Sequence, residues 1–146
     1  MTQERAQLGM AMFLIAEAVL FFLLILAFVY FGAIPNVIAP PGWLCTALLL
    51  ASSLSMWRAA ASGKGGSRLW LWVTIALGGA FLADQTIFLG TTFLTLAGIH
   101  GLHILAGLIA LAIVPVQALR TMALYWYFFV LVWLAIFLVV YVRGIA

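Results

Sequence analysis

Residues 8–31 read LGMAMFLIAEAVLFFLLILAFVYF, an apolar run broken by a single charge, Glu17. A helix of about 20 such residues crosses the hydrocarbon core of a bilayer. The run is longer than the ~7–15 apolar residues of a signal-peptide core, and no small-residue cleavage site follows it, so it reads as a retained first span. The other fold that lipid accepts is a closed β-barrel. Its strands alternate polar and apolar residues over about ten positions. The stretch Phe21-Phe22-Leu23-Leu24-Ile25-Leu26 does not alternate. The run is therefore helical, and the fold class that follows is all-α and polytopic.

The rest of the chain repeats this character. Its 146 residues are 68% apolar, with six Lys or Arg and three Asp or Glu. The mean hydropathy is +1.33. Soluble domains carry about 25% charged residues, so this composition cannot cover a water-facing surface. It excludes a soluble enzyme, a nucleic-acid binder and a disordered chain. Helix breakers then divide the sequence. Gly32-Ala33-Ile34-Pro35-Asn36 and Pro40-Pro41-Gly42 end the first run, since proline lacks an N–H and restricts its predecessor. Ala61 to Arg68 is a polar Gly/Ser loop with Lys64 at its centre. Residues 69–119 are nearly uncharged and suit two helices, with a break near Asp84-Gln85 and Gly90-Thr91-Thr92. Pro115 and Arg120 close the fourth helix. The expectation is one transmembrane domain over 1–146, with spans at about 8–31, 43–60, 69–86, 91–116 and 123–142.

Five spans put the termini on opposite sides. Arg5, Arg58, Lys64, Arg68 and Arg120 fall on one side and Arg143 on the other. Cations accumulate on the cytoplasmic side, which predicts the N-terminus inside and the C-terminus outside. The sequence pI near 9.5 reports that orientation.

Few polar side chains lie inside the spans. Glu17 is nine residues into the first, about 13 Å along the helix axis, which is near mid-membrane. An ionised carboxylate is expensive there, so Glu17 is expected to be protonated or partnered, and by default it marks a functional site. His100 and His103 stand three apart and share one helix face. Two histidines so placed cannot supply both axial ligands of one haem, and a closed metal site wants about four ligands. They are expected to bond neighbouring helices. Asp84 lies about 22 Å along the third span, and reads as a solvated helix end. Cys45 reads as a small buried hydrophobe. Gly78, Gly79 and Ala83 on the third helix, and Gly98, Gly101, Ala106 and Gly107 on the fourth, allow close helix approach. Tyr125, Trp126, Tyr127, Trp133 and Tyr141 crowd the last span, and those near its ends read as interfacial anchors. No catalytic constellation is present.

Taken together, four segments are similar to subunit III of haem–copper oxidases. Gly9 to Phe22, around Glu17, resembles that family's buried-glutamate helix, and Leu48 to Ser53 its following helix. Thr92 to Gly107, with His100 and His103, resembles its most recognisable stretch. Tyr125 to Phe128, Val132 to Leu134, Tyr141 and Gly144 resemble its last helix. The order agrees, and the five-helix form of the family is the closer match. Two departures stand out: Tyr127 and Val130 occupy positions where the family usually carries His and Asp. The connection after Gln85 is also shorter than the family's.

The resemblance implies a non-catalytic subunit of an oxygen-reducing, proton-translocating respiratory oxidase in a bacterial inner membrane. It implies packing on catalytic subunit I and other oxidase subunits, contact with phospholipid, and support of proton uptake and durable turnover. No cofactor is expected on this chain; haem and copper are expected in partner subunits. Glu17, His100 and His103 are the buried functional candidates it carries over. Two alternatives are an accessory subunit of a nitric oxide reductase, and a small proton channel or transporter using Glu17. A transporter usually shows inverted repeats and broken helices, and neither is visible here.

Overall fold

The computed structural model describes residues 2–31, 42–63, 65–86 and 94–145, apart from the side chains at 42, 85, 86, 94, 95 and 141–145. Five helices make up the described fold: α1 (Thr2–Phe31), α2 (Gly42–Ala61), α3 (Gly66–Thr86), α4 (Leu94–Ile113) and α5 (Leu119–Ile145). A 3₁₀ turn, Val116–Ala118, precedes α5. All five helices are long and apolar enough to cross a membrane. There is no strand among the described residues. The expected breaks at Gly32–Asn36, Pro40-Pro41 and Gly90–Thr92, and the loop cation Lys64, lie outside the described residues.

Local chemistry sets the helix ends. Pro115 has no N–H to continue α4 and sits in an extended conformation, φ −69° and ψ 152°. Ala118 N–H then donates to Pro115 O at 2.9 Å, closing a tight turn. Leu119 opens α5 and is buried, as is Met122. The polar Arg120-Thr121 step therefore belongs to the first turn of α5. It does not close the fourth helix, as its charge suggested, because Leu119 and Met122 anchor that turn in the core. The α2–α3 connection is held by Gly63 O, which accepts from Gly66 N at 3.0 Å and Ser67 N at 3.2 Å.

Helix α5 is central. It packs on α1, α2 and α4, while α2 and α3 make the most extensive pair. Helix α1 rests chiefly on α5 and touches α4 only lightly. Its outward face, including Leu8, Met12, Ile15 and Phe22, is exposed, as suits a surface in contact with lipid.

Lipid offers no hydrophobic drive for helices to associate, so close packing and interhelical hydrogen bonds hold them together. Trp126 of α5 supplies both. Its indole is fully buried and lies against two glycines. A Cβ on Gly78 of α3 would meet Trp126 Cη2 and Leu108 Cδ2, each at 2.8 Å. A Cβ on Gly107 of α4 would meet Tyr125 Cε1 at 2.8 Å and Trp126 Cζ3 at 3.3 Å. The Trp126 indole N–H donates to Ser52 Oγ on α2 at 3.0 Å. Further along α2, Ser55 and Thr74 of α3 share a hydroxyl hydrogen bond of 2.7 Å. Trp133 Nε1–H donates to Thr46 Oγ1 at 3.2 Å. The Cys45 thiol donates to the Asp84 carboxylate. A polar seam thus runs along α2 from end to end.

Three expectations change. Tyr125 and Trp126, placed near the start of the last span, are core residues rather than interfacial anchors, because the glycines of α3 and α4 open room for them. Asp84 is not merely a solvated helix end, since it accepts the Cys45 thiol across the α2–α3 pair. Cys45 is buried as expected, yet it acts as a hydrogen-bond donor as well as a hydrophobe.

Candidate functional site

The structure brings Glu17 and His103 together. Glu17 projects from α1 toward α4, and its Oε2 lies 3.2 Å from His103 Nε2. Both side chains are largely buried, at 15% and 19% exposure. The approach is within ion-pair range, but its angles do not make a hydrogen bond, and Oε2 has no hydrogen-bond partner among the described residues. The terminal carboxyl torsion of glutamate is broad and roughly two-fold. A small rotation therefore brings the pair into line.

The second ring nitrogen of His103 sets its tautomer. Nδ1 lies 2.7 Å from Ile99 O, and a carbonyl oxygen only accepts, so Nδ1 carries the hydrogen. In the neutral ring, Nε2 then offers its lone pair to Glu17. A pair of this chemistry can share one proton, as carboxylic acid and imidazole or as carboxylate and imidazolium. Both forms are neutral overall, which avoids burying an isolated charge.

His100 bonds α5 instead. It is fully buried and its Nε2–H donates to Phe129 O on α5 at 2.8 Å. Its Nδ1 is consequently a bare acceptor, with no hydrogen-bond partner among the described residues. A buried acceptor left this way costs about 1–3 kcal/mol. The two histidines share a helix, but only His103 meets Glu17.

Aromatic rings wall the site; the sequence pointed to Tyr125 and Trp133 only as aromatics of the last span, and to Phe21, Phe81 and Phe129 not as site residues at all. Phe21 stands one turn beyond Glu17 on α1, 2% exposed. Its ring centroid is 5.3 Å from that of His103 and 6.2 Å from that of His100, edge-on to both. Phe129 stacks on His103 at 4.9 Å. Phe81 and Trp133 flank His100 at 5.9 and 5.4 Å. Tyr125 Oη–H donates to His103 O at 2.7 Å, fixing α4 to α5 beside the pair. The i, i+4 spacing of Glu17 and Phe21 was available as a signal. Nothing in it told Phe21 from the other phenylalanines of the run.

No group of three His, Cys, Asp or Glu able to hold a metal ion occurs among the described residues. What the site can do is hold, share or pass a proton inside the bilayer. The fold and site define a polytopic helical membrane protein with a carboxyl–imidazole pair inside its bundle.

No family model matches the chain. Curated relatives do. The chain is 33% identical, over 68% of its length and 62% of the relative's, to cytochrome bo(3) ubiquinol oxidase subunit 3 of Pseudomonas aeruginosa. It is 31% identical to cytochrome c oxidase subunit 3 of Bacillus subtilis, over 70% of its length and 65% of the relative's. It is 28% identical to cytochrome c oxidase subunit 3 of a Synechocystis species, over 91% and 73% respectively. The chain spans a little under two thirds of the first two relatives. The chain is thus similar, over most of its length, to subunits III of haem–copper oxidases, and it is an integral inner-membrane protein.

Proposed function

We propose that this chain is a non-catalytic supporting subunit of a respiratory haem–copper terminal oxidase. The observation that carries the reading is the likeness to oxidase subunits 3 over most of the chain, in proteins named for both quinol and cytochrome c oxidases. Haem and copper then reside in partner subunits. The chain packs on catalytic subunit I through its apolar helix faces, with the N-terminus inside. The relatives' names do not favour a nitric oxide reductase partner.

In this reading Glu17 and His103 keep a proton in reserve within the membrane and support proton uptake by the catalytic subunit. Their separation of 3.2 Å, and the tautomer set by Ile99 O, support that role. Phospholipid contact is supported by a cavity of about 180 Å³ at the end of the bundle where α1, α3 and α5 begin. Gln3, Ser62, Ser67, Gln117 and Arg120 line its polar side, a fit for a lipid phosphate.

Purification from native membrane tests the reading. The chain should be recovered in stoichiometric amount with a haem-bearing subunit, while the separated chain shows no Soret band. Recovery as a free chain without a haem protein would overturn the oxidase assignment.

A further inference from the structure

Two buried polar atoms lack hydrogen-bond partners among the described residues, Glu17 Oε2 and His100 Nδ1. Both belong to side chains that neighbour Phe21. Glu17 lies one turn before Phe21 on α1, and His100 meets the Phe21 ring edge-on at 6.2 Å. His103, the partner of Glu17, meets the same ring at 5.3 Å. Phe21 thus packs against the rings of both histidines, one turn from Glu17.

The chemistry of the two atoms specifies what completes them. His100 Nε2–H is committed to Phe129 O, so Nδ1 of the neutral ring can only accept. Phe81, Phe129 and Trp133 surround His100. The Trp133 indole N–H already donates to Thr46. The protein groups packed on His100 thus supply no hydrogen to Nδ1. Water carries two hydrogens and needs two or more polar partners to stay buried. One hydrogen to His100 Nδ1 and one to Glu17 Oε2 satisfy both orphans at once.

We propose that Phe21 is the door of an internal hydration site: when its ring swings off His100, a water molecule enters and bridges His100 Nδ1 to Glu17. The step breaks no covalent bond. The Phe21 ring moves, the water donates two hydrogen bonds, and His100 joins the proton-sharing pair of Glu17 and His103. The proposal deepens the proton role given to that pair above, by naming water as its ligand and Phe21 as the positioning residue that admits it.

The test uses the full chain in phosphatidylcholine bilayers. It carries only two histidines, so ¹⁵N-histidine labelling gives a spectrum that one variant, His103→Gln, assigns. Solid-state NMR reads magnetisation transfer from water to each ring nitrogen. In the wild-type chain, His100 should show the Nε2–H tautomer and slow transfer from water to the ring. Phe21→Leu and Phe21→Ala should speed that transfer several-fold, and Phe21→Leu alone decides if the alanine variant fails to fold. An Nδ1–H tautomer, absence of transfer in every variant, or equal transfer with and without Phe21 would overturn the proposal. These readings need no oxidase partner. Failure of co-purification with a haem subunit, and failure of the hydration site, are therefore separate results.

Discussion

Glu17 has a partner, and its substitutions separate two roles. Glu17→Gln keeps the shape and an N–H that can donate to His103 Nε2, but it removes the transferable proton. The chain should assemble normally, and sustained oxygen consumption by the assembled complex should decay faster than wild type. Glu17→Leu removes the carboxyl that faces His103 Nε2 and should lower the stability of the chain by about 1–3 kcal/mol. Thermal unfolding in detergent reads that loss. Unchanged turnover and unchanged stability in both variants would remove Glu17 from the functional and the structural account alike. The glutamate was legible because a charge in an apolar run is expensive wherever it lies. Which histidine it meets was not. His100 and His103 share a face, and the rotation of α1 against α4, set by packing, decides between them.

At the scale of helices, the glycines carry unequal weight. Gly78→Ala and Gly107→Ala each place a Cβ 2.8 Å from an aromatic carbon, beside the buried Trp126 ring. Overpacking of this kind should destabilise each variant by about 1–3 kcal/mol. A Cβ on the adjacent Gly79 meets nothing within 4 Å. Gly79→Ala should therefore be neutral, or stabilising by up to about 1 kcal/mol through helix propensity. Unfolding midpoints of the three proteins, compared in one detergent, check the ranking. Ser52→Ala should cost about 1–3 kcal/mol, since it leaves the Trp126 indole N–H buried without an acceptor. The small residues were readable as a class that permits close approach. Their ranking was not, because it depends on which neighbour the facing helix presents. The same limit hid the core role of Tyr125 and Trp126: near a helix end, an aromatic suits the interface and the core equally well until the opposite glycines are in place.

For the whole molecule, five helices followed from the positions of Pro, Gly and charge along the apolar runs. The turn at Pro115 followed only in part, because Arg120 was weighed by its charge and not by the buried Leu119 and Met122 around it. Orientation rests on five cations against one. A reporter fused after Ala146 should be active only if it folds on the outer side of the membrane. An inactive fusion, with activity instead from a reporter that works on the inner side, would reverse the assignment and place the cavity beside Arg120 at the opposite leaflet.

The light packing of α1 on α4 has a consequence for how the chain is made. Glu17 and His103 are 86 positions apart. Ribosomes add about 5–20 residues per second, so Glu17 emerges about 4–17 s before its partner has been synthesised. Through that interval α1 waits in the insertion machinery or the bilayer with neither α4 nor α5 to shelter it. A charged group at the centre of an inserting helix costs about 2.5–3.5 kcal/mol, and α1 faces that cost before any partner exists. The apolar run around Glu17 is thus what carries the acid into the membrane seconds before its partner is made.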